Sequence, residues 1–410
     1  DTLVLSSLAC PSRAGGHSLD NWGSILGFPK GDHTDWSTYS PEMREYCKRD
    51  VGLLEKVVLA LDEELKGFSE KSIQLEHQVA WIIQEQMDNG WLLDQEAVFM
   101  LLAELKEKKM ELEDEVHKVF GPIAKPVRRI VPKIKKDGCM SSVGLKYYGE
   151  RWSDEICGEH TRLEWQEFNI GSRQQIAERL MSAGWKPTKF TPKTPKGGGG
   201  NPIVDDVVLA DVKGIPEATL MADYLTVVRR IAMAQSWLDA VEDDGRVHGE
   251  VNSNGAVTGR MTHYSPNLGQ VTSGSKIYGP EMRSCWTVPQ GHKLVGMDAD
   301  GLELRMLAHY MNDPEYTRMV AEGDKDAGTD AHTANQRAAG LNSRDDAKTF
   351  IYAFLYGAGD AKIGTIVGKG AKAGRELKAR FLDNTPALAS LRERVSNSAR
   401  RGWLKGLDGR

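Results

Sequence analysis

Four side chains late in the chain repeat at intervals of four residues, and their types suit a nucleoside triphosphate. Arg344, Lys348, Tyr352 and Tyr356 fall on one face of a predicted helix, because residues four apart lie nearly above one another. Arginine and lysine pair with phosphate oxygens, and a flat tyrosine ring can meet a base. The same spacing also fits an ordinary amphipathic helix with snorkelling cations and half-buried tyrosines. Spacing alone leaves both interpretations open.

A carboxylate follows an apolar segment some fifty residues earlier. Lys293–Met297 predicts a strand that delivers Asp298 to its end, and Gly301 then allows a turn into a helix beginning near Leu302. A carboxylate at the end of a strand can hold Mg²⁺, a hard ion that binds oxygen ligands and substrate phosphates. A structural aspartate that caps the following helix fits equally well.

A third stretch, residues 252–270, is rich in turn formers and neutral polar side chains. Such side chains can donate hydrogen bonds to base edges or phosphates. By composition alone, this stretch predicts only a loop with polar tips.

The elements that position these residues carry clear end signals. Ser343 and Asp346 form a capping box before the four-residue repeat, and Gly357 ends the helix. Upstream, the pattern predicts a strand over Asp1–Leu8, a strand beginning at Val247–Val251, and helices over Ser18–Leu26, Pro41–Leu65, Leu75–Met87, Asp94–Val116, Ser172–Ala183 and Asp223–Ala240. Because few residues join the helices 75–87 and 94–116, they predict an antiparallel pair.

The composition excludes several classes of protein. Of 410 residues, 40% are hydrophobic and 27% charged, which is enough apolar material for a large core and excludes a disordered chain. The longest apolar run, Ala97–Ala103, is far shorter than the roughly 20 residues of a membrane-spanning helix. Five scattered cysteines form no zinc or disulfide pattern, which favours a reducing cytoplasm. The net charge of −5 does not exclude nucleic acid, since phosphate binding needs only a local basic surface.

Residues 121–165 break the helical pattern. Prolines at 122, 126 and 132 prevent a regular helix, so the segment predicts an insertion or long loop. A solvated basic loop and a contact with a phosphate backbone or acidic partner both remain open. The basic residues are Lys125, Arg128, Arg129, Lys133, Lys135 and Lys136. A second irregular stretch, Lys186–Lys196, runs into Gly197–Gly200 and predicts a flexible connector.

Taken together and in this order, the motifs resemble the family A DNA polymerases, above all the replicative enzymes of podophages. Asp298–His309 resembles motif A, and Arg344–Gly357 resembles motif B, the fingers helix. The resemblance covers nearly the whole chain except about Pro122–Trp165. Further matching blocks are Thr258–Arg260 with Pro266–Leu268 (T-G-R…P-N-L), Phe168–Gln175 (F-N-x-x-S), Thr191–Val207 (K-T-P-x-G-A-P) and Tyr46–Asp50 (Y-x-x-x-D of the 3′–5′ proofreading domain).

The resemblance implies an α+β, largely helical fold, a right-hand polymerase with a partial palm, fingers and thumb. The end of a ribonuclease-H-like 3′–5′ exonuclease domain would precede it. The implied domains are the exonuclease part (1–70), the thumb (71–240, with the insertion at about 122–165), the partial palm with motif A (241–315) and the fingers with motif B (316–410).

The resemblance also implies roles in nucleotide binding. Arg344 and Lys348 would clamp the triphosphate, with Lys348 counted as catalytic, and His332 would hydrogen-bond a phosphate. Tyr352 would stack by the incoming sugar and base, and Tyr356 would sit at the templating pair. Glu303 would be the steric gate that excludes a ribose 2′-hydroxyl.

Metal and DNA contacts follow from the same resemblance. Asp298 and the backbone carbonyl of Ala299 would bind Mg²⁺ in a two-metal site, where the primer 3′-OH attacks the α-phosphorus of a dNTP in line. Asp50 would be a metal ligand and Tyr46 its companion in the exonuclease remnant. The residues expected at the minor groove of the primer–template are Arg260, Asn267 and Gln270.

The chain departs from the family pattern in three ways. It contains no His-Asp-Glu motif, and the family's exonuclease Asp-x-Glu would precede Asp1, so we expect an internal fragment of a phage polymerase that does not polymerise alone. The insertion differs from the loop that recruits thioredoxin in one podophage group, and a processivity factor there is a hypothesis. We expect the whole enzyme to act in the cytoplasm of an infected bacterium, with no membrane contact.

Two other classes compete with this interpretation. A non-catalytic DNA-binding relative would have lost Asp298 or Lys348, and both are present. A single-subunit RNA polymerase also pairs a lysine with a distal Tyr-Gly in its fingers helix, but Glu303 and the Tyr46–Asp50 motif argue against it.

Overall fold

The computed structural model describes residues 1–131, 135–137, 159–193, 198–402, 404 and 406. The fold is α+β and largely helical, as the resemblance implies. The chain divides into two compact units: residues 1–80 with 256–259 and 293–410, and residues 81–255 with 260–292. Among the described helices, none combines the length and apolar composition that a membrane crossing requires. The four-domain division stays a prediction.

The first 80 residues are helical, and one prediction there is wrong. The Asp1–Leu8 segment is a helix, not a strand, because the Asp1 carboxylate accepts the backbone N–H groups of Leu3 and Val4 and caps it. The predicted helices at 18–26 and 41–65 are confirmed. The helices are α1 (Thr2–Ala9), α2 (Leu19–Ile25), α3 (Pro41–Glu64) and α4 (Glu70–Asn89), with a core of Leu8, Trp22, Leu53, Val57 and Leu61.

The second unit is built on two long helices, α5 and α8. The Asp94 side chain caps α5 by accepting the N–H of Ala97, and α5 packs along α8. The predicted antiparallel pair of α4 with α5 is therefore wrong, because the apolar side of α5 is covered by a helix more than a hundred residues away. The elements are β1 (Trp91–Leu92), α5 (Gln95–Val119), β2 (Ile123–Ile130), β3 (His160–Gln166), α6 (Arg173–Ser182), α7 (Asp206–Ala210), α8 (Glu217–Leu238), β4 (Arg246–Val247), β5 (Glu250–Asn252), β6 (Thr262–Tyr264) and α9 (Gly279–Ser284).

The predicted insertion is partly regular. Strands β2 and β3 pair in antiparallel register from Ile123↔Gln166 to Ile130↔His160, with an irregularity between Pro126 and Arg128. The expectation of a loop is wrong for these two strands, since a cross-strand ladder satisfies the backbone that proline excludes from a helix. Residues 132–134 and 138–158, including Lys133, lie outside the described residues, as do 194–197 of the predicted connector.

The polar stretch 252–270 begins at the end of β5 and contains β6. Strand β1 pairs with β4, and β5 pairs with β6. The strand predicted at Val247–Val251 is thus two strands, β4 and β5. After β6, Leu268–Gln270 forms one 3₁₀ turn.

Residues 302–399 form a helical body with its own core. Phe350, Phe381 and Ile363 are fully buried there, and the rings of Phe350 and Phe381 meet edge to face with centroids 5.0 Å apart. The helices are α10 (Leu302–Met311), α11 (Pro314–Glu322), α12 (Ala331–Ala339), α13 (Arg344–Leu355), α14 (Asp360–Ile366), α15 (Ala371–Asp383) and α16 (Pro386–Ala399).

The strand predicted over Lys293–Met297 is absent. These residues have no regular secondary structure, and Leu294, Val295 and Met297 are 62%, 81% and 97% exposed. No described strand lies hydrogen-bonded beside them, and a strand exists only when a neighbour pairs with its backbone.

Candidate nucleotide-binding site

Helix α13 presents the predicted four-residue repeat as the sequence requires. The Ser343 hydroxyl accepts the N–H of Asp346 at the start, and Gly357 takes a positive φ of 75° just past the end. Phe350 and Ile351 are buried on the core side. Lys348 and Tyr356 are exposed, and Arg344 and Tyr352 are half-buried. The cations and tyrosines therefore form a surface stripe above a fixed core.

Arg344 forms an ion pair with Asp330. Its Nη2 donates to Asp330 Oδ2 at 2.6 Å, and its Nε lies 3.1 and 3.3 Å from the two carboxylate oxygens. The Asp330 side chain is 11% exposed, and the guanidinium and helix-start donors hold the pKa of this carboxyl well below its usual range despite burial. Sequence reasoning missed Asp330, although its position two residues before His332 and at the start of a helix was a usable signal.

His332 lies next to this ion pair. The imidazole ring centroid is 6.0 Å from that of Tyr352, and Nδ1 is buried without a hydrogen-bond partner in the described residues. Burial, then the charge of Arg344, lower the pKa of His332 from its usual value, and Asp330 opposes them. The ring is therefore neutral at pH 7 and has one unused nitrogen.

The start of α10 supplies acidic groups to the same stripe. Tyr356 donates its hydroxyl hydrogen bond to Glu303 Oε1 at 2.9 Å. Burial, followed by the charges of Glu303 and Asp300, raises the pKa of Tyr352. The structure therefore brings together Glu303, His332, Arg344, Tyr352 and Tyr356, five of the six predicted nucleotide-binding residues. Lys348, the sixth, lies on the same face of α13 between Arg344 and Tyr352.

The predicted metal ligands are less organised. Asp298 and Ala299 are exposed and lie in the segment without regular secondary structure. Within the residues that the structure describes, no three His, Cys, Asp or Glu side chains come close enough to hold a metal ion.

The predicted minor-groove residues belong to the second compact unit. Arg260 and Gln270 are exposed, whereas Asn267 precedes the 3₁₀ turn and its Oδ1 is buried without a partner among the described residues. They lie within ten residues of one another along one polar segment.

The exonuclease pair lies on α3. Asp50 Oδ2 is 3.8 Å from Lys30 Nζ, and its Oδ1 is buried without a described partner. The Tyr46 ring packs edge to face on Trp36 at 5.2 Å, and Lys30 lies 5.2 Å from its centroid. A hydrogen bond to Tyr46 raises the pKa of Lys30. The two predicted residues thus share one cluster.

Comparison with known proteins identifies the family. Residues 148–409 match the sequence model of DNA polymerase family A. The chain is 36% identical to the DNA-directed DNA polymerase of Enterobacteria phage T3 and 35% identical to that of Escherichia phage T7, in each case over 97% of this chain and 68% of the relative.

A solved structure has the same fold. It is the POL domain of Pol1 from M. smegmatis in complex with DNA primer-template and dNTP, with a TM-score of 0.72 and 18% identity over 100% of this chain and 63% of that one. At this identity the likeness concerns the fold alone. The sequence matches and the fold together show that this chain belongs to DNA polymerase family A and is a DNA-directed DNA polymerase of the phage type.

Proposed function

We propose that residues 300–356 bind the incoming dNTP for addition to a primer 3′-OH in phage DNA replication. The observation that carries this is the surface stripe of α13, where two cations, a neutral histidine and two tyrosines meet the acidic start of α10. A triphosphate needs cationic donors at one end, and a sugar and base need flat or shaped walls at the other.

Each of these residues contacts a different part of the nucleotide. Lys348 and Arg344 bind phosphate oxygens and stabilise the charge that develops when the α-phosphorus is attacked in line. His332, beside Arg344, meets the same end and donates one hydrogen bond to a phosphate oxygen. Tyr352 lies along the sugar and base, and Tyr356 lies at the templating pair.

Glu303 is the steric gate in this proposal. Its carboxylate is fixed by the Tyr356 hydroxyl at 2.9 Å, so it forms a wall rather than a mobile side chain. A wall of this kind excludes a ribose 2′-hydroxyl and favours deoxyribonucleotides. This favours a DNA polymerase over a single-subunit RNA polymerase.

Family A polymerases generally use divalent metal ions, and Asp298 with the Ala299 carbonyl would hold Mg²⁺ here. When bound, Mg²⁺ stabilises the attacking and leaving oxygens. The described residues supply only part of the donor set. That the 410 residues alone do not polymerise stays a prediction.

Other contacts belong to the same proposal. Arg260, Asn267 and Gln270 touch the minor groove of the primer–template, and Tyr46 with Asp50 as metal ligand forms part of a 3′–5′ exonuclease site. The protein acts in the cytoplasm of an infected bacterial host.

The β2–β3 hairpin is the proposed contact for a processivity factor. Leu163 and Trp165 alternate along β3 and are 57% and 76% exposed, so they share one face of the strand. Apolar groups this exposed are common at protein interfaces.

Binding of dNTP to a complex with a dideoxy-terminated primer–template tests the nucleotide site without needing turnover. Lys348→Ala should weaken dNTP binding on the order of 30-fold or more, because it removes a charge-assisted phosphate contact. Primer–template affinity should stay within about twofold, since a contact to the incoming nucleotide is absent from that complex. The exposed Lys372→Ala is the matched control. If DNA affinity falls instead, α13 faces the duplex and the assignment is wrong.

A further inference from the structure

We propose that Asp330 is a positioning residue for the triphosphate: it fixes the orientation of Arg344 and the place of His332 so that both meet the phosphates. The proposal rests on the nucleotide-binding function above and adds a residue to it. Asp330 itself does not touch the nucleotide.

Asp330 occupies one edge of the Arg344 guanidinium and leaves the other edge open. The carboxylate accepts from Nη2 at 2.6 Å and from Nε at 3.1 and 3.3 Å. No contact within the described residues engages Nη1. Because guanidinium is a rigid planar fork with five donors, holding the Nε–Nη2 edge also fixes the direction of Nη1. A phosphate oxygen can bind there without displacing Asp330.

The carboxylate is itself held in place. Asp330 is the N-cap of α12, where Oδ1 accepts from the Thr333 hydroxyl at 2.5 Å and the Thr333 N–H at 3.3 Å. Oδ2 accepts the N–H of His332 at 3.2 Å. One side chain therefore sets the first turn of α12, which carries His332, and the side chain of Arg344 at the first turn of α13.

This arrangement reduces the entropy lost on binding. A free arginine must give up several rotatable bonds when it grips a phosphate, whereas an arginine held in place has already lost that freedom. Asp330 also remains ionised because Arg344 and the α12 donors lower its pKa.

A double-mutant cycle on dNTP binding tests the proposal. Asp330→Asn keeps an N-cap acceptor, since asparagine caps as well as aspartate, but it loses the charge and one acceptor for Arg344. We expect dNTP affinity to fall roughly 10- to 100-fold, as misplaced binding groups do, while primer–template affinity is unchanged. In an Arg344→Ala background, Asp330→Asn should add no further loss, because the retained N-cap keeps His332 in place and the remaining effect acts through Arg344. Arg344→Lys keeps the charge without the fork and should behave like Asp330→Asn.

The control is Asp360, another aspartate at a helix start, which pairs with two cations rather than one. Asp360 lies 3.3 Å from Arg375 Nε and 3.1 Å from Lys378 Nζ, so Asp360→Asn removes an ion pair of the same kind outside the nucleotide site. It should leave dNTP affinity within about twofold, as expected for an exposed ion pair.

The outcomes separate this proposal from the proposed function. If Lys348→Ala binds dNTP as the unchanged protein does, the nucleotide-binding function itself is wrong. If Lys348→Ala loses dNTP but Asp330→Asn does not, the positioning role is wrong. Tighter binding by Asp330→Asn would mean that the aspartate sequesters Arg344. Additive losses in the double mutant, or equal losses for dNTP and DNA, would reduce Asp330 to a structural residue.

Discussion

The helical pair α12–α13 and the segment 293–300 contrast sharply, although both carry residues predicted for one nucleotide site. In α12–α13 the predicted side chains, apart from the exposed Lys348, are paired or half-buried, and the core below them is closed around Phe350. In 293–300 the backbone has no regular structure, and the apolar side chains point into solvent.

The difference follows from how each element satisfies its backbone. A helix forms its hydrogen bonds within about a dozen residues, and its ends need only local caps such as Ser343 and Asp330. A strand has unpaired groups on both edges until a second strand, often distant in sequence, lies beside it. The helices proposed to contact the nucleotide can therefore be fixed where the segment predicted to bind metal is not.

The largest expected effect is on the free energy of unfolding, which should respond very differently to a substitution in each region. Phe350→Ala should lower the free energy of unfolding by about 3–5 kcal/mol, because it leaves a cavity in a closed core. Met297→Ala, at a side chain 97% exposed, should change it by less than about 0.5 kcal/mol. Denaturant unfolding monitored by circular dichroism measures both. A large loss from Met297→Ala would show that the 293–297 segment is packed in solution, and the contrast would disappear.

The next prediction concerns the proposed gate Glu303 at the start of α10, the helix that follows segment 293–300. Glu303→Ala should weaken discrimination against ribonucleotides by roughly 10- to 200-fold, the range for removing one steric wall from a pocket. Competition between rNTP and dNTP for the complex with terminated primer–template gives the ratio. Glu315→Ala, on α11, is the control. An unchanged ratio of rNTP to dNTP binding would show that Glu303 is not the steric gate.

Sugar recognition on α13 should respond to the loss of a single hydroxyl. In the proposed site, the Tyr352 hydroxyl would lie where the 3′-OH of the sugar would otherwise be needed, so the protein should accept dideoxynucleotides readily. Tyr352→Phe should raise discrimination against them, with dNTP affinity nearly unchanged. Tyr356→Phe loses its bond to Glu303, on the order of 1 kcal/mol, and serves as the matched variant. Equal ddNTP-to-dNTP binding ratios for the Tyr352→Phe and unchanged proteins would contradict this placement of Tyr352.

The smallest expected effect is a pH dependence from His332. Because burial lowers its pKa from 6.5, the unfolded chain binds a proton more readily than the folded chain as the pH falls. The stabilisation is full above pH 6.5 and decreases below it, towards the folded pKa. His332→Gln should flatten the unfolding free energy between pH 7 and pH 5.5, and His309→Gln, at an exposed site on α10, should not. Parallel pH profiles for the His332→Gln and unchanged proteins would show that the ring is solvated.

Sequence by itself determined the local features of this protein. The stripe on α13, its serine cap and glycine stop, and the helices near 18–26, 41–65 and 172–183 are all set by residues within a turn or two of one another. The order of the motifs was enough to identify the family, which the relatives confirm. The Asp1 cap of α1 is also a local feature, but the apolar composition of residues 1–8 favoured the prediction of a strand.

Tertiary structure alone decided which groups meet across long separations. The partnership of Arg344 with Asp330, the bond from Tyr356 to Glu303 fifty-three residues away, the packing of α5 on α8 and the β2–β3 ladder depend on how distant segments are folded together. Periodicity cannot encode such contacts, because it describes one element at a time, whereas a pairing is fixed by the shape and charge of two. The same reason explains the missing strand at 293–297: its sequence specifies an extended apolar segment, but only a partner makes that segment a strand.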